Sequence, residues 1–281
     1  MSVKIVTDST CDLPESVVAQ YDIRVVPLYI NVGDQSYLDG VELSRRAFYT
    51  QLPGYPAPPT TSVPGPNVVR QVYEEMAAEG ATEVVSIHIA ESLSAFVNTA
   101  RMAARDTHTV PVTVFDGGQI TVGTGLLVLA AAKAAAAGQS AGEIVAMLED
   151  RRRRTHAFAA LDTLEFLRRS GRLSQFQFGL GALLSIKPLL KMHDGEVDME
   201  RVRTSNRSIE RLIRLVEKLG SLEELAVVHT NAAEKADALR QQARHLFPAG
   251  EEPLVAWVTP VIGAHVGPGA VGLVAVAQPD R

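Results

Sequence analysis

Four short loops, each lying where a predicted strand ends or a helix begins, offer small hydroxyl side chains or glycines. Such hydroxyls, together with the free N–H groups of a helix N-terminus, can donate hydrogen bonds to an anion. Taken singly, each hydroxyl is better explained as a helix cap, but four such loops in succession favour a binding site. The loops are Thr7-Asp8-Ser9-Thr10, Thr60-Thr61-Ser62, Glu91-Ser92-Leu93-Ser94 and Asp116-Gly117-Gly118-Gln119.

Two glycine-containing segments in the second half add a guanidinium and an imidazole. Arg172 lies in Ser170-Gly171-Arg172-Leu173-Ser174, and His265 lies in Gly263-Ala264-His265-Val266-Gly267-Pro268-Gly269. Both side chains can donate hydrogen bonds to a carboxylate, and neighbouring glycines let the backbone approach a ligand closely. Each also has an ordinary interpretation by itself, because Arg172 could form a surface ion pair and His265 could be a loop histidine with local partners.

These loops need a scaffold, and the hydrophobic pattern predicts one of alternating strands and helices. Apolar runs at Val3–Thr7, Val84–Ile89 and Val112–Phe115 are each followed by a helical stretch, which is typical of a parallel sheet with helices on both faces. The loops at the carboxyl ends of such strands gather at one edge of the sheet, where ligands bind. The second half carries a hairpin signal instead, at His193-Asp194-Gly195-Glu196.

We therefore predict an α/β protein of two α/β domains. Residues 1–154 are expected to form an N-terminal domain with a mainly parallel sheet flanked by helices, and residues 155–281 a C-terminal domain with a mixed sheet and helices. Asp12 is predicted to cap a helix whose first turn contains Pro14. The segment from Pro53 to Pro66 contains six prolines and is predicted to hold no regular structure.

Composition excludes several classes of protein. The net charge of −5 offers no basic surface for nucleic acid. No apolar run reaches the roughly 18 residues of a membrane span. Cys11, the single cysteine, rules out an intramolecular disulfide and agrees with the cytoplasm, where we expect the protein. The seven histidines lack zinc-ligand spacing, and we expect neither a metal nor another cofactor.

Two charged or glycine-rich patterns do not predict a nucleotide site. Gly267-Pro268-Gly269-Ala270-Val271-Gly272 matches G-x-G-x-x-G, but a dinucleotide loop follows a strand and opens a helix. Here a strand is predicted to follow the glycines instead. Arg151–Arg154 could bind a phosphate, although favourable charge at a helix C-terminus is the preferred interpretation.

At these residues the chain resembles the DegV family of bacterial fatty-acid-binding proteins. The resemblance covers nearly the whole chain and keeps the order of the family's landmarks. Those landmarks are Thr7-Asp8-Ser9-Thr10, Thr61-Ser62 before a proline, Ser92-Leu93-Ser94, Leu161–Leu167 with Gly171-Arg172, Ile186-Lys187-Pro188-Leu189-Leu190, Val202-Arg203-Thr204, and Ile262–His265 with Gly267-Pro268-Gly269.

The resemblance implies that one long-chain fatty acid, such as palmitate, is held in a buried pocket where the two domains meet. By position, it assigns the fatty acid carboxylate to Thr61, Ser62, Ser94 and His265. It places Arg172 near the head group or on a surface that faces a partner. The implied partner is a fatty acid kinase, which converts the presented carboxylate to an acyl phosphate. We expect a monomer without a catalytic residue of its own.

Two positions depart from the family pattern. Ala95 stands where glycine is usual, which leaves the shape of the turn at Ser94 open. Gly118 and Gln119 replace a more common serine-containing stretch after Asp116, which leaves the role of that loop open.

Two rival functions are weighed against the carrier. Ser94, His265 and either Asp8 or Asp116 could form a hydrolase triad, although Ser94 lies in no recognisable nucleophile elbow. A DNA-associated regulator is disfavoured by the negative net charge and by the lack of a recognition-helix motif. For a carrier, burying a dozen methylenes at about 0.8 kcal/mol each would supply most of the affinity, and the polar groups would mainly orient the ligand.

Overall fold

Strands and helices alternate through a computed structural model that describes residues 2–175, 186–250 and 253–279. The strands of the first half are β1 (Val3–Asp8), β2 (Arg24–Val26), β3 (Tyr29–Val32), β4 (Gln35–Leu38), β5 (Thr60–Ser62), β6 (Glu83–His88) and β7 (Val112–Asp116). Its helices are α1 (Glu15–Gln20), α2 (Arg45–Gln51), α3 (Pro66–Ala78), α4 (Phe96–Asp106), α5 (Val122–Ala136) and α6 (Ala141–Arg154).

The second half contains the remaining elements. Its strands are β8 (Thr155–Ala160), β9 (Lys187–His193), β10 (Glu196–Val202), β11 (Leu222–His229), β12 (Leu254–Trp257) and β13 (Val271–Ala277). Its helices are α7 (Glu165–Arg169), α8 (Ser205–Glu217), α9 (Ala233–Gln242) and α10 (Pro260–Val266). Short 3-10 helices lie at Ser9–Cys11, Leu52–Gly54, Arg172–Gln175 and Arg244–Leu246.

Three sheets organise the described residues, and they confirm the predicted fold class. A parallel sheet in the order β2-β1-β6-β7 forms the N-terminal lobe, together with a small antiparallel sheet, β4-β3-β5. A mixed six-stranded sheet in the order β10-β9-β8-β13-β11-β12 forms the C-terminal lobe. We propose the domain boundary at Arg154–Thr155, where α6 gives way to β8. No helix in the described ranges is long and apolar enough to cross a membrane.

Two local predictions are wrong. The proline-rich segment contains regular structure after all, because Thr60–Ser62 lies between prolines, keeps its N–H groups, and pairs with β3. Asp12 does not cap α1, which begins at Glu15 without a side-chain cap. Asp12 instead ends the preceding 3-10 helix at φ 52°, and its carboxylate is taken up by donors from distant parts of the chain.

Helix α10 belongs to the C-terminal half of the sequence but packs against both lobes. Val261 joins the main apolar cluster of the N-terminal lobe, and Ile262 joins the cluster that lies between the lobes. Gly263 allows this approach, since a Cβ there would lie 2.3 Å from the Tyr49 hydroxyl oxygen. That hydroxyl donates a hydrogen bond to the carbonyl of Val258, 3.1 Å away, just before α10.

The arginines at the end of α6 bind carboxylates of the other lobe. Arg154 pairs with Glu223 and Arg152 pairs with Asp194, each at 2.7 Å. The predicted role of these arginines, balancing the negative end of the helix, is therefore incomplete, because they also connect the two lobes.

Candidate functional site

A predominantly apolar cavity of about 450 Å³ lies between the two lobes. This volume falls within the range of about 300–1,000 Å³ that is usual for small-molecule sites. Its aliphatic walls suit a hydrocarbon, which gains free energy by leaving water. The walls include Leu28, Ile89 and Leu93 from the N-terminal lobe and Leu190, Val228 and Ile262 from the C-terminal lobe.

All five side chains that the resemblance assigned to the site line this one cavity, and we call them the polar set. They come from separate elements: β5, the loop before α4, the 3-10 helix after α7, and α10. Folding therefore brings together residues that are up to 204 positions apart. The members of the polar set are Thr61, Ser62, Ser94, Arg172 and His265.

His265 and Thr61 form the one direct hydrogen bond recorded within the polar set. His265 Nε2 lies 3.0 Å from Thr61 Oγ1, while the buried Nδ1 has no hydrogen-bond partner among the described residues. Burial, followed by the nearby charge of Arg172, lowers the pKa of His265 to about 4. The imidazole is therefore neutral at pH 7, and the formal positive charge of the polar set resides on Arg172.

Arg172 opens its 3-10 helix directly after Gly171, whose φ of +73° favours glycine. Its side chain lines the cavity, and no Asp or Glu in the described ranges forms an ion pair with it. A guanidinium without a carboxylate partner at the edge of an apolar cavity is a suitable counter-charge for an acidic ligand.

Ser94 is held in place just before α4. Its N–H donates to the Ala90 carbonyl at 3.1 Å, and its Oγ accepts the N–H of Phe96 at 3.2 Å. The hydroxyl proton of Ser94 is still available to donate. Ala95 adopts φ −73°, an ordinary conformation, so the departure from glycine causes no backbone strain at this turn.

Ser62 lines the cavity, but its hydroxyl lies on the other face of β5 from that of Thr61. Its Oγ accepts a hydrogen bond from Asn31 Nδ2 at 3.3 Å, and Thr60 Oγ1 lies 3.4 Å from the same nitrogen. Successive side chains of a strand point to opposite faces, which separates Ser62 from Thr61.

The loop Asp116–Gln119 is the fourth of the loops singled out in the sequence. It does not line the cavity and instead contacts the turn between β9 and β10. The Gly118 carbonyl accepts the N–H of Gly195 at 2.8 Å, and Ser92 Oγ donates to the Gly195 carbonyl at 2.6 Å. Gly118 has φ +56°, and a Cβ there would lie 3.0 Å from the Gly195 nitrogen. Glycine at this position is thus explained by contact between the lobes.

A buried group of aspartates beside the cavity was not anticipated from the sequence; we call Asp8, Asp12 and Asp39 the carboxyl cluster. Asp12 accepts hydrogen bonds from Arg45 at 3.1 Å, Thr121 Oγ1 at 2.6 Å and the Thr259 N–H at 2.8 Å. Asp39 accepts the Thr259 hydroxyl. Asp8 ends β1 and Asp39 directly follows β4, but Asp12 follows a 3-10 helix, and no sequence pattern joined the three.

Burial governs the charges of the carboxyl cluster. It raises the pKa of Asp12 to about 7 against the opposing effect of Arg45, and it raises the pKa of Asp39 to about 6. Burial would also raise the pKa of Asp8, but the hydrogen bond and charge of His88 outweigh it and leave that pKa below its ordinary value.

The hydrolase triad considered from the sequence is not assembled. His265 bonds to Thr61, and Asp8 is engaged by His88 Nδ1 at 3.0 Å. Asp116 accepts backbone N–H groups, among them that of Gly118 at 2.9 Å. Within the described residues, no group of three or more His, Cys, Asp or Glu side chains could hold a metal ion.

Comparison with known sequences gives matches along nearly the whole chain. A family model described as "Uncharacterised protein, DegV family" matches residues 2–278. A DegV domain-containing protein of Streptomyces coelicolor is 38% identical over 275 residues, covering 97% of this chain and 97% of the relative. Protein DegV of Bacillus subtilis is 30% identical over 278 residues, covering 97% of this chain and 98% of its own.

Comparison with solved structures gives equally extensive matches. A structure from Thermus thermophilus, described as fatty acid binding of a DegV family protein, aligns with a TM-score of 0.89 at 35% identity. DegV of Bacillus subtilis, described as a fatty acid binding protein, aligns with a TM-score of 0.89 at 29% identity. Each alignment covers 99% of this chain and 100% of the other.

Proposed function

Because this chain belongs to the DegV family, we propose that it binds one long-chain fatty acid, such as palmitate, between its two lobes. The observation that carries the proposal is the apolar cavity of about 450 Å³ with Thr61, Ser94, Arg172 and His265 in its lining. Two solved relatives at 35% and 29% identity, described as fatty acid binding, support the same ligand class.

The acyl chain supplies most of the proposed affinity. A dozen buried methylenes contribute about 10 kcal/mol before the entropic cost of association is subtracted. Aliphatic side chains such as Leu190 and Ile262 provide the dry surface that this contribution needs. The polar set then fixes which end of the ligand lies where, since an unpaired buried carboxylate is costly.

The carboxylate is proposed to bind the hydroxyls of Thr61 and Ser94, with His265 orienting Thr61. If the neutral imidazole donates its Nε2–H to Thr61 Oγ1, the hydroxyl proton of Thr61 is free for the ligand. Arg172 balances the ligand's charge. The placement of the Ser62 hydroxyl beside Asn31 gives that residue the weakest support within the proposed carboxylate site.

The proposal extends to presentation of the carboxylate to a fatty acid kinase, which would phosphorylate it to an acyl phosphate while this chain contributes no catalytic group. Neutral hydroxyl donors suit such a transfer because they satisfy the carboxylate oxygens without forming a tight ion pair with them. Arg172 lines the cavity and forms no ion pair with an acidic residue of the described chain, so it is available to a partner as well as to the head group.

Mass spectrometry of lipid extracted from the purified protein tests the ligand. We expect about one fatty acid per chain, and delipidated protein should bind palmitate again in a calorimetric titration. Purified protein that carries no fatty acid and shows no heat of binding after delipidation would contradict the proposal.

Turnover by a fatty acid kinase tests the presentation step. Arg172→Ala should lower the rate of acyl phosphate formation by about tenfold, while the Kd for palmitate rises less than about threefold, because the hydroxyls of Thr61 and Ser94 still bind the carboxylate. Arg169→Ala is the matched control, because Arg169 is exposed and pairs with Glu165. Wild-type turnover in Arg172→Ala would remove the proposed role.

A further inference from the structure

The hairpin formed by β9 and β10 makes one wall of the cavity. Leu190, Met192 and Val197 of this hairpin line it. β10 is the edge strand of the six-stranded sheet, so the hairpin is attached to the rest of the sheet only through the pairing of β9 with β8. Val274 lines the cavity from β13, which lies in the interior of the sheet between β8 and β11. The hairpin is thus held to the sheet by fewer strand pairings than the β13 wall.

The tip of this hairpin is fastened to the N-terminal lobe by three polar contacts, which we call the tip latch. Ser92 Oγ donates to the Gly195 carbonyl at 2.6 Å, and the Gly195 N–H donates to the Gly118 carbonyl at 2.8 Å. Arg152 Nε forms an ion pair with Asp194 at 2.7 Å. None of these five residues lines the cavity.

The tip latch differs in kind from the contact that α10 makes across the same interface. The side chains of Asp194 and Arg152 are 37% and 24% exposed and Ser92 is exposed, so two of the three contacts are open to water, while the third ends on the buried Gly118. Water can replace exposed polar contacts at low cost, and such segments open more readily than buried ones. At α10, Gly263 is packed against the buried ring of Tyr49, where separation would expose apolar surface to water.

We propose that the tip latch is the gate of the cavity, and that its release lets the β9–β10 wall swing away so that an acyl chain can enter and leave. The inference rests on the proposed function, since it takes the cavity ligand to be a fatty acid. Ser92, Arg152 and Asp194 are positioning residues in this scheme. They hold the wall closed in both the empty and the loaded protein, without touching the ligand.

A gate makes a kinetic prediction that a ligand contact does not. Weakening a latch that is closed in both states lowers the barrier to opening from either side, so uptake and release accelerate together and the Kd is unchanged. The test variant combines Ser92→Ala with Asp194→Asn, because asparagine tolerates the φ of 44° at position 194.

The experiment is stopped-flow binding of a fluorescent polyunsaturated fatty acid to delipidated protein, with release followed by displacement with excess palmitate. We expect both rate constants to rise about three- to tenfold and the Kd to stay within about twofold. Asp198→Asn is the matched control. It removes an ion pair with Lys191 at 2.9 Å on the same hairpin, without affecting the contact with the other lobe, and should leave both rates at wild-type values.

Two outcomes would overturn the gate. Unchanged rates in the double variant would show that exchange does not pass through the latch. A faster release with unchanged uptake would show that the latch stabilises only the loaded protein. Both differ from failure of the proposed function, in which wild-type protein would show no binding of the fluorescent fatty acid at all.

Discussion

The carboxyl cluster and the polar set both draw on the two halves of the chain: Thr259 donates to two aspartates of the carboxyl cluster, and Arg172 and His265 belong to the polar set. They differ in how far the protein satisfies their polar groups. Asp12 alone accepts hydrogen bonds from Arg45, Thr121 and Thr259. In the polar set, by contrast, Arg172 forms no ion pair within the described residues, and the Ser94 hydroxyl, which accepts the Phe96 N–H, still has its own proton to donate.

The two groups therefore have different roles: the carboxyl cluster stabilises the arrangement of the lobes, and the polar set is available to a ligand. Buried polar groups that are fully paired stabilise one arrangement of the lobes, because breaking them leaves unpaired groups in a medium of low dielectric constant. Buried polar groups that lack partners cost stability, so they are expected where a ligand completes them. Asp39 is intermediate, since one of its oxygens has no hydrogen-bond partner in the part of the chain that the structure describes and its pKa of about 6 lets a proton neutralise the group.

The greatest loss of stability is expected when the carboxyl cluster is disrupted. Asp12→Ala should lower the free energy of unfolding by about 3–5 kcal/mol, because it leaves Arg45 and two further donors unpaired. Urea unfolding measures the loss. Asp237→Ala, which removes an exposed pair with Arg240, should leave the urea midpoint almost unchanged. Similar losses in the two variants would show that burial and pairing do not decide what a carboxylate contributes to stability.

The next effect concerns the binding side. Thr61→Val combined with Ser94→Ala should weaken palmitate binding roughly 100-fold, since hydrogen bonds to a charged group are worth about 1.5–3 kcal/mol each. The free energy of unfolding should also fall, by about 1–3 kcal/mol, because the double variant loses the contact of Thr61 with His265 and the bond from the Phe96 N–H to Ser94. Calorimetric titration gives the Kd. Thr60→Val, on the opposite face of β5 beside Asn31, should bind like wild type; an unchanged Kd in the double variant would remove these hydroxyls from the site.

A smaller effect tests whether Asp39 is intermediate between the two groups. Its folded pKa of about 6 lies above the ordinary value of 3.8. The protonated Asp39 carboxyl therefore contributes its whole stabilising effect below about pH 4, and this effect is lost as pH rises through about 6. Asparagine at position 39 does not titrate, so the Asp39→Asn variant keeps its stability over this pH range. Its free energy of unfolding relative to wild type should therefore increase by about 1 kcal/mol between pH 5 and pH 8. Urea unfolding at the two pH values measures it, and a pH-independent difference would contradict the assignment.

The smallest effect tests a residue at the boundary between the two classes. Ser62→Ala should change the Kd for palmitate by less than about threefold, because its hydroxyl lies beside Asn31 rather than beside Thr61. A loss as large as that of the Thr61 and Ser94 variant would place Ser62 among the direct carboxylate ligands.

The order of residues along the chain was sufficient to predict most of the fold and the five residues of the polar set. Alternating apolar runs predicted the parallel sheet, and the hairpin signal at Asp194-Gly195 was correct, because these patterns depend on contacts close in sequence. The prediction for Asp12 failed for the opposite reason. Its local pattern favoured a helix cap, but its carboxylate instead accepts hydrogen bonds from residues 45, 121 and 259.

Residue types, periods and spacings were sufficient to identify the α/β class, the family and the five side chains expected in the cavity. They did not reveal that His265 lies beside Thr61, that its imidazole is buried and neutral, or that Gly118 serves contact between the lobes. Burial, pairing and close approach arise between residues far apart in the chain, and no local pattern encodes which of them meet.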